Sequence, residues 1–357
     1  MKTTPTLEVR NLCKTFAGKA GLLRSGRRAR VVTDVSFRIG QGEIFGLVGE
    51  SGSGKSTIGR TILRLLEPDS GEILFGGRDI TGLSAADLRK LRRHMQIIFQ
   101  DPFSSLDPRV RVGEVLAEPI RLHRLREGHA VEARVDELLR IVGLAPHHKG
   151  RYPHEFSGGQ RQRIAIARAL AVEPALIVCD EAVSALDVSI QAQVLNLLAR
   201  LRAELGVSYL FISHDMSVVR HISDRVGVLY AGRLVETGSV EAVFERPSHP
   251  YTRMLLAATP SLGGRRGSGS GPDIEGSPPG PFEPIPGCAF ASRCPHATET
   301  CLAASPPLDT FREGDHMAAC WHAETLPPFQ AEGEAVMSDA FERRMALLRR
   351  ARAGAET

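Results

Sequence analysis

The amino-acid sequence predicts an α/β protein whose core is interrupted by a helical insertion and followed by a small cysteine-bearing extension. Three observations carry that expectation. "EIFGLVG" (43–49) is a short apolar run closed by glycine, and "STIGRTILRLL" (56–66) after it places apolar residues at helical intervals. Strand, glycine turn and helix in that order begin an α/β unit. Four more apolar runs have the length of buried strands: "QIIF" (96–99), "ALIVCD" (175–180), "SYLFIS" (208–213) and "RVGVLYAG" (225–232). Between Asp101 and Phe156 the period becomes helical, in "VGEVLAEPIRLHRL" (112–125) and "VEARVDELLRIVGL" (131–144), so a helical insert divides the core.

Ahead of these elements, "TLEVRNLCKTF" (6–16) and "VVTDVSFRI" (31–39) read as strands, joined by a Gly- and Arg-rich loop from Gly18 to Arg30. The basic run "RSGRRAR" (24–30) inside that loop reads as solvated. From Gly263 to Pro286 the sequence "GGRRGSGSGPDIEGSPPGPFEPIP" has the composition of a linker. "CAFASRCPHATETC" (288–301) and "MAACWH" (317–322) follow, and "SDAFERRMALLRRARAG" (338–354) reads as a basic helix. The expected organisation is a core over 1–262 with its helical subdomain at about 101–170, a linker over 263–283, a cysteine module over 284–323 and a helical tail over 324–357. The sequence has no internal repeat, so the core occurs once.

Bulk properties exclude several classes. The chain has 357 residues, enough for one large domain and a smaller one, with 42% hydrophobic and 24% charged residues as in ordinary soluble proteins. A net charge of +4 is too weak to argue for nucleic acid. No run approaches the ~18 to 20 apolar residues of a membrane span, and the first residues lack the apolar centre of a signal peptide. The expected place is the cytoplasm, where disulfides are disfavoured, which tilts the cysteine cluster toward metal.

"GESGSGKST" (49–57) fits G-x-x-x-x-G-K-[ST]. Glycines let the backbone turn so that successive N–H groups face phosphate oxygens. Lys55 then reaches the β/γ-phosphates, the Ser56 hydroxyl ligates Mg²⁺, and the helix beginning near Lys55 turns its positive end to the same anion. A second acidic centre closes "ALIVCD": Asp180 is placed to hold the metal's water shell, and Glu181 to polarise an attacking water. Cys179 in that strand reads as a small core hydrophobe. In "EFSGGQRQRIAIARAL" (155–170), Ser157, Gly158 and Gly159 precede a helix expected from about Gln160 to Leu170. One phosphate loop already serves one triphosphate, so a second phosphate-binding helix start suits a nucleotide held by another subunit.

The phosphate loop, "SGGQ" (157–160), "DE" (180–181), "SALD" (184–187) and "SHD" (213–215) together resemble the nucleotide-binding subunit of ABC transporters, over roughly residues 5–260. The resemblance implies a RecA-like core, an antiparallel β subdomain and a helical subdomain. It implies that Gly49, Ser51, Gly52, Ser53, Gly54, Lys55, Ser56 and Thr57 bind ATP. It further implies that Gln100 in "IIFQDP" senses Mg²⁺ with Ser56 and Asp180, that Glu181 is the catalytic base, and that His214 contacts the γ-phosphate. Ser157, Gly158, Gly159 and Gln160 would act on ATP bound by a second subunit, Asp187 would lie at the dimer seam, and Phe16 would stack on adenine. "DEAVSALD" stands where many relatives have "DEPTSALD"; both acidic residues are kept, so activity is expected to be unaffected.

"FQDPFSSLDPR" (99–109) and "ERPSHPYTRMLLAATP" (245–260), with the cysteine tail, are similar to the peptide/nickel branch, the oligopeptide and dipeptide permease ATPases. That resemblance implies import of peptides or similar solutes with a second ATPase subunit, two transmembrane permease subunits and an extracytoplasmic solute-binding protein, at the cytoplasmic face of the membrane and without nucleic acid. Rival readings are an accessory subunit of a phosphonate carbon–phosphorus lyase and a soluble, non-transport ABC ATPase. Cys288, Cys294, Cys301 and Cys320 are spaced C-x5-C-x6-C-x18-C. Spacing leaves a [4Fe–4S] cluster, zinc and free thiols open; the resemblance favours iron–sulfur. The cysteines are then expected to staple a module too poor in apolar residues to fold alone and lying apart from the phosphate loop. His296 and His322 read as solvated neighbours rather than ligands.

Overall fold

The computed structural model describes residues 4–17, 28–101, 105–258, 276–310 and 315–329. Two sheets organise it. A small antiparallel sheet has the order β2-β1-β4-β5, from β1 (Leu7–Ala17), β2 (Arg28–Ile39), β4 (Ser70–Phe75) and β5 (Arg78–Asp79). The main sheet has the order β11-β12-β10-β9-β3-β8-β7-β6. Its strands are β3 (Ile44–Val48), β6 (Met95–Ile98), β7 (Leu176–Asp180), β8 (Ser208–Ser213), β9 (Arg225–Tyr230), β10 (Arg233–Ser239), β11 (Asp309–Thr310) and β12 (Met317–Ala318). The run β9-β3-β8-β7-β6 is parallel, and β10 and β12 extend it antiparallel at one edge.

The helices are α1 (Lys55–Ile62), α2 (Ala85–Leu91), α3 (Val112–Leu122), α4 (His129–Ile141), α5 (Gly158–Leu170), α6 (Val188–Leu205), α7 (Met216–Ile222), α8 (Val240–Glu245), α9 (Pro250–Ala258) and α10 (Glu299–Ala303). The central strands bury both faces, as expected of a parallel sheet covered on two sides. Successive side chains alternate between two cores. Ile44 and Val48 of β3 join Tyr209 and Phe211 of β8 beneath the helical layer. Phe45, Leu47, Leu210 and Ile212 face α1 and the antiparallel sheet instead. α3, α4 and α5 form the helical insertion foreseen between the strands.

Two boundaries differ from the sequence expectation. β2 starts at Arg28, so the loop expected to run to Arg30 yields its last three residues to a strand paired with β1. α5 starts at Gly158 rather than near Gln160: Ser157 is the cap, and both glycines lie in the first turn. Residues 18–27 of the Gly/Arg-rich loop, most of the linker and the tail from residue 330 onward, with its expected basic helix, lie outside the described residues.

The cysteine-bearing extension does not lie apart from the core. Phe290, 1% exposed, inserts into the larger core cluster with its ring centroid 5.3 Å from Tyr230 and 5.5 Å from Tyr251. β12 pairs with β10, Glu236 opposite Ala318. Glu236 is wholly buried, and its carboxylate accepts the backbone N–H groups of Ser248 (2.7 Å) and His249 (2.9 Å) and lies 2.8 Å from His316 Nε2. A buried carboxylate persists only with such partners. The Arg30 N–H also donates to the Pro281 carbonyl at 2.9 Å. A segment expected to be too poor in apolar residues to stand alone thus also borrows the cassette's core.

Candidate functional site

The glycine turn after β3 is dictated by close backbone approach. Gly54, the cap of α1, has φ 106°, and a Cβ there would lie 2.5 Å from the Val31 carbonyl oxygen. A side chain at Gly49 would overlap the Leu229 carbonyl. Only glycine fits both demands. The turn is also held from the next strand pair, because the Gly232 N–H donates to the Ser53 carbonyl at 2.9 Å.

The buried Lys55 ammonium donates to the carbonyls of Gly49 and Glu50, both at 2.8 Å. Burial lowers its pKa, opposed by the charges of Glu181, Asp180 and Glu50. The Ser56 hydroxyl donates to Asp180 Oδ1 at 2.6 Å, so the end of β7 and the start of α1 are already joined at the predicted metal position. Burial raises the Asp180 carboxyl pKa, while the Ser56 bond and Arg60, 3.7 Å away, pull it back.

Glu181 is held in the left-handed region at φ 50°, with its N–H bonded to the Ile212 carbonyl at 3.0 Å. A non-glycine residue there is strained by roughly 1 kcal/mol or more, and its carboxylate meets two other residues that the sequence marked for the site. Gln100 Nε2 donates to Glu181 Oε2 at 2.9 Å, and His214 Nδ1 lies 3.5 Å from Glu181 Oε1. Gln100 and His214 follow β6 and β8, Asp180 ends β7 with Glu181 directly after it, and the phosphate loop follows β3. The site therefore spans the carboxyl ends of four parallel strands that adjoin in the sheet.

Ser157 and Gln160 form a reciprocal capping box: Ser157 Oγ accepts from the Gln160 N–H at 3.4 Å, and Gln160 Oε1 accepts from the Ser157 N–H at 3.1 Å. A side chain at Gly159 would strike Ile190, so α5 packs closely on the first turn of α6. Asp187 caps α6 through its backbone, and its exposed side chain stands beside Val188, which is 81% exposed. Phe16 is a half-exposed aromatic near the end of β1 with Lys14 Nζ 5.6 Å from its ring centre. Ser51 and Gly52 are exposed at the loop tip, Ser53 is buried, and the Thr57 carbonyl accepts from Thr61 Oγ1 at 2.7 Å. Cys179 is buried, and burial pushes its thiol pKa far up, as expected of a core residue.

Cys288, Cys294, Cys301 and Cys320 line one small pocket, together with His249 and His322. Burial raises the thiols of Cys288 and Cys294, and that of Cys320 to about 11. The donor chemistry suits a thiolate-bound group, but among the described residues no three His, Cys, Asp or Glu side chains are arranged to hold a metal ion. His322, expected to be a neighbour of the cysteines, is half-buried with its Nε2 3.6 Å from Cys301 Sγ.

Sequence reading missed what joins this pocket to the phosphate loop. Arg293 grips Glu50 with both terminal guanidinium nitrogens, Nη1 at 3.1 Å and Nη2 at 3.2 Å. Tyr251 accepts the Glu50 N–H at 2.9 Å on its phenol oxygen. "HPYT" was the available signal: His249 lines the cysteine pocket and Tyr251, two residues on, touches the phosphate loop.

A glycine-turned phosphate loop facing an acidic strand end at the carboxyl edge of a parallel sheet defines a P-loop nucleoside triphosphatase. The family model described as ABC transporter matches residues 32–184, and that of the oligopeptide/dipeptide transporter C-terminal region matches residues 235–301. A putative peptide import ATP-binding protein of Brucella ovis is 49% identical over 327 residues, covering 90% of this chain and 98% of that protein. The glutathione import ATP-binding protein GsiA of Shigella flexneri is 58% identical over 257 residues, 72% of this chain and 41% of that protein. Among solved structures, the dimeric ATP-binding cassette MJ0796 bound to ADP and Pi is similar with TM-score 0.59 and 30% identity, over 66% of this chain and 98% of that one. The cbiO1 protein of Clostridium perfringens, part of an ABC transporter complex, is similar with TM-score 0.58 and 28% identity, over 68% of this chain and 91% of that one. The chain belongs to the ATP-binding subunits of ABC transporters, in the branch that carries the oligopeptide/dipeptide C-terminal region.

Proposed function

We propose that this protein hydrolyses ATP to drive import of peptides or related small solutes, glutathione among them, through permease subunits that it docks onto at the cytoplasmic face of the membrane. No helix among the described residues is long and apolar enough to cross a membrane; in this reading the permease subunits supply the pathway. An extracytoplasmic binding protein would deliver the solute. The observation that carries the reading is the Glu181 carboxylate shared by Gln100 and His214 beside the Ser56–Asp180 contact.

In this reading the backbone of residues 49–57 and Lys55 hold the phosphates, Ser56, Gln100 and Asp180 hold Mg²⁺, and Glu181 orients the attacking water while His214 faces the γ-phosphate. Two cassettes close face to face, self or paralogue, with Ser157 to Gln160 of one reaching the ATP of the other and Asp187 at the seam. Exposure of Asp187 and Val188 beside the capping box supports this. Phe16 would stack on adenine.

We also propose that the four cysteines, once their side chains turn from the present arrangement toward one centre, are the ligand set of a [4Fe–4S] cluster, with zinc as the alternative. Support comes from their convergence on one pocket without disulfides. Anaerobically purified protein should then be brown and hold iron and sulfide in equal amounts; a colourless, metal-free protein would remove the cluster from the account. The rival accessory-subunit reading offers no use for "HPYT" or the cysteines.

The test of hydrolysis is Glu181→Gln in the assembled transporter. ATP binding should persist while turnover falls by about a thousandfold, the scale of a lost general base. Lys55→Ala should instead weaken ATP binding itself. Wild-type turnover in Glu181→Gln would overturn the assignment.

A further inference from the structure

Glu50 is unusual among the phosphate-loop residues in being clamped from four directions. Its N–H goes to Tyr251 Oη at 2.9 Å, its carbonyl accepts from Lys55 Nζ at 2.8 Å and from the Ser53 N–H at 3.2 Å, and its carboxylate receives the Arg293 fork. Two of these four partners, Tyr251 and Arg293, lie in the C-terminal part of the chain.

Arg293 is itself fixed. Its side chain is only 9% exposed, Nη1 lies 3.3 Å from Tyr230 Oη, and the guanidinium carbon lies 5.8 Å and 5.7 Å from the ring centres of Tyr230 and Phe290. It ends the short 3₁₀ turn Ala291–Arg293, directly before Cys294. Such a planar fork, stacked and bidentate, is a geometry that lysine cannot reproduce.

The electrostatic consequence is definite. A carboxylate inside a loop that binds polyphosphate opposes its ligand, and this one also lies within electrostatic reach of the Lys55 ammonium. Paired with Arg293, Glu50 contributes no net charge and leaves the field of Lys55 and the α1 start to the phosphates. Unpaired, it would compete with the nucleotide for Lys55.

We propose that Arg293 is a positioning residue for the nucleotide site: from the cysteine-bearing extension it neutralises Glu50 and fixes the first turn of the phosphate loop. The inference rests on the reading of residues 49–57 as the ATP site.

The experiment measures Mg–ATP binding and steady-state ATPase on the full chain, assembled with its permeases for turnover. Arg293→Gln should raise Kd and KM for ATP by about tenfold, below the cost of breaking a fully buried pair because Glu50 is part-exposed, with kcat within about twofold. Glu50→Gln should bind ATP at least as tightly as the natural chain. Arg293→Gln combined with Glu50→Gln should recover affinity to within about threefold, a rescue that a purely structural role for Arg293 would not give. Arg293→Lys should fall between. If Arg293→Gln does not fold, Arg293→Lys carries the test, expected to raise KM by about threefold through the lost bidentate geometry. An unchanged KM in a folded Arg293 variant, or a double variant no better than the single, overturns the proposal. Lys55→Ala keeps the two readings apart: undiminished ATP binding there would reject residues 49–57 as the ATP site, whatever Arg293 does.

Discussion

The phosphate loop and the cysteine pocket lie on either side of one salt bridge, yet their sequences differ in how much they reveal. The loop is built from contiguous residues whose chemistry needs fixed spacing, with glycine where Val31 and Leu229 crowd the backbone, then a lysine, then a hydroxyl. The pocket is built from Cys288, Cys294, Cys301 and Cys320 plus His249 from the other side of the linker, and its attachment is made by Arg293, Phe290 and His316. Local chemistry writes itself into spacing; docking between distant segments does not.

The largest effect that could break the comparison lies at Phe290. Phe290→Ala should destabilise the protein by about 3 to 4 kcal/mol, because a fully buried ring among Tyr230 and Tyr251 leaves a cavity. Calorimetry should show the main transition itself moving down. An unmoved main transition with loss of a separate small one would mean that the extension folds independently.

A smaller effect sharpens it. His249 is buried against the cysteine pocket, and burial lowers its imidazole pKa to about 3. The folded state therefore excludes the proton that the unfolded chain takes up near pH 6.5, so this contribution is complete above about 6.5 and is lost as pH falls toward 3. The slope is at most about 1.4 kcal/mol per pH unit. His249→Asn keeps an acceptor for the Tyr251 N–H, whose bond to Nδ1 is 3.0 Å, and should flatten the fall in melting temperature between pH 6.5 and 4.5. An identical slope in the variant would remove His249 as its source.

Much of the fold was legible from the sequence. β3, β6, β7, β8 and β9 were visible as apolar runs because strands covered on both faces must be apolar throughout. β12, two residues long, has no such signal, and its pairing with β10 depends on Glu236 and His316 meeting across 80 positions. Within the candidate site, Glu181 was legible as the acidic pair at a strand end beside the phosphate loop, whereas Gln100 and His214 came from resemblance; the three converge within hydrogen-bonding or ion-pair distance. Arg293 was overlooked because an arginine between two cysteines resembles a solvated charge until its partner across 243 residues is known. The left-handed turn at Glu181 was equally silent, since no glycine or asparagine marks it.

The measurement that tests the central claim most directly is hydrogen exchange over residues 288–294 in the Glu181→Gln chain, with and without Mg–ATP. Coupling between two sites is reciprocal. If the extension positions the phosphate loop through Arg293 and Glu50, bound nucleotide must slow exchange in the extension, and Arg293→Gln must abolish the slowing while residues 49–57 remain protected by ATP. Exchange over 288–294 that is indifferent to nucleotide in the natural pairing would contradict the account.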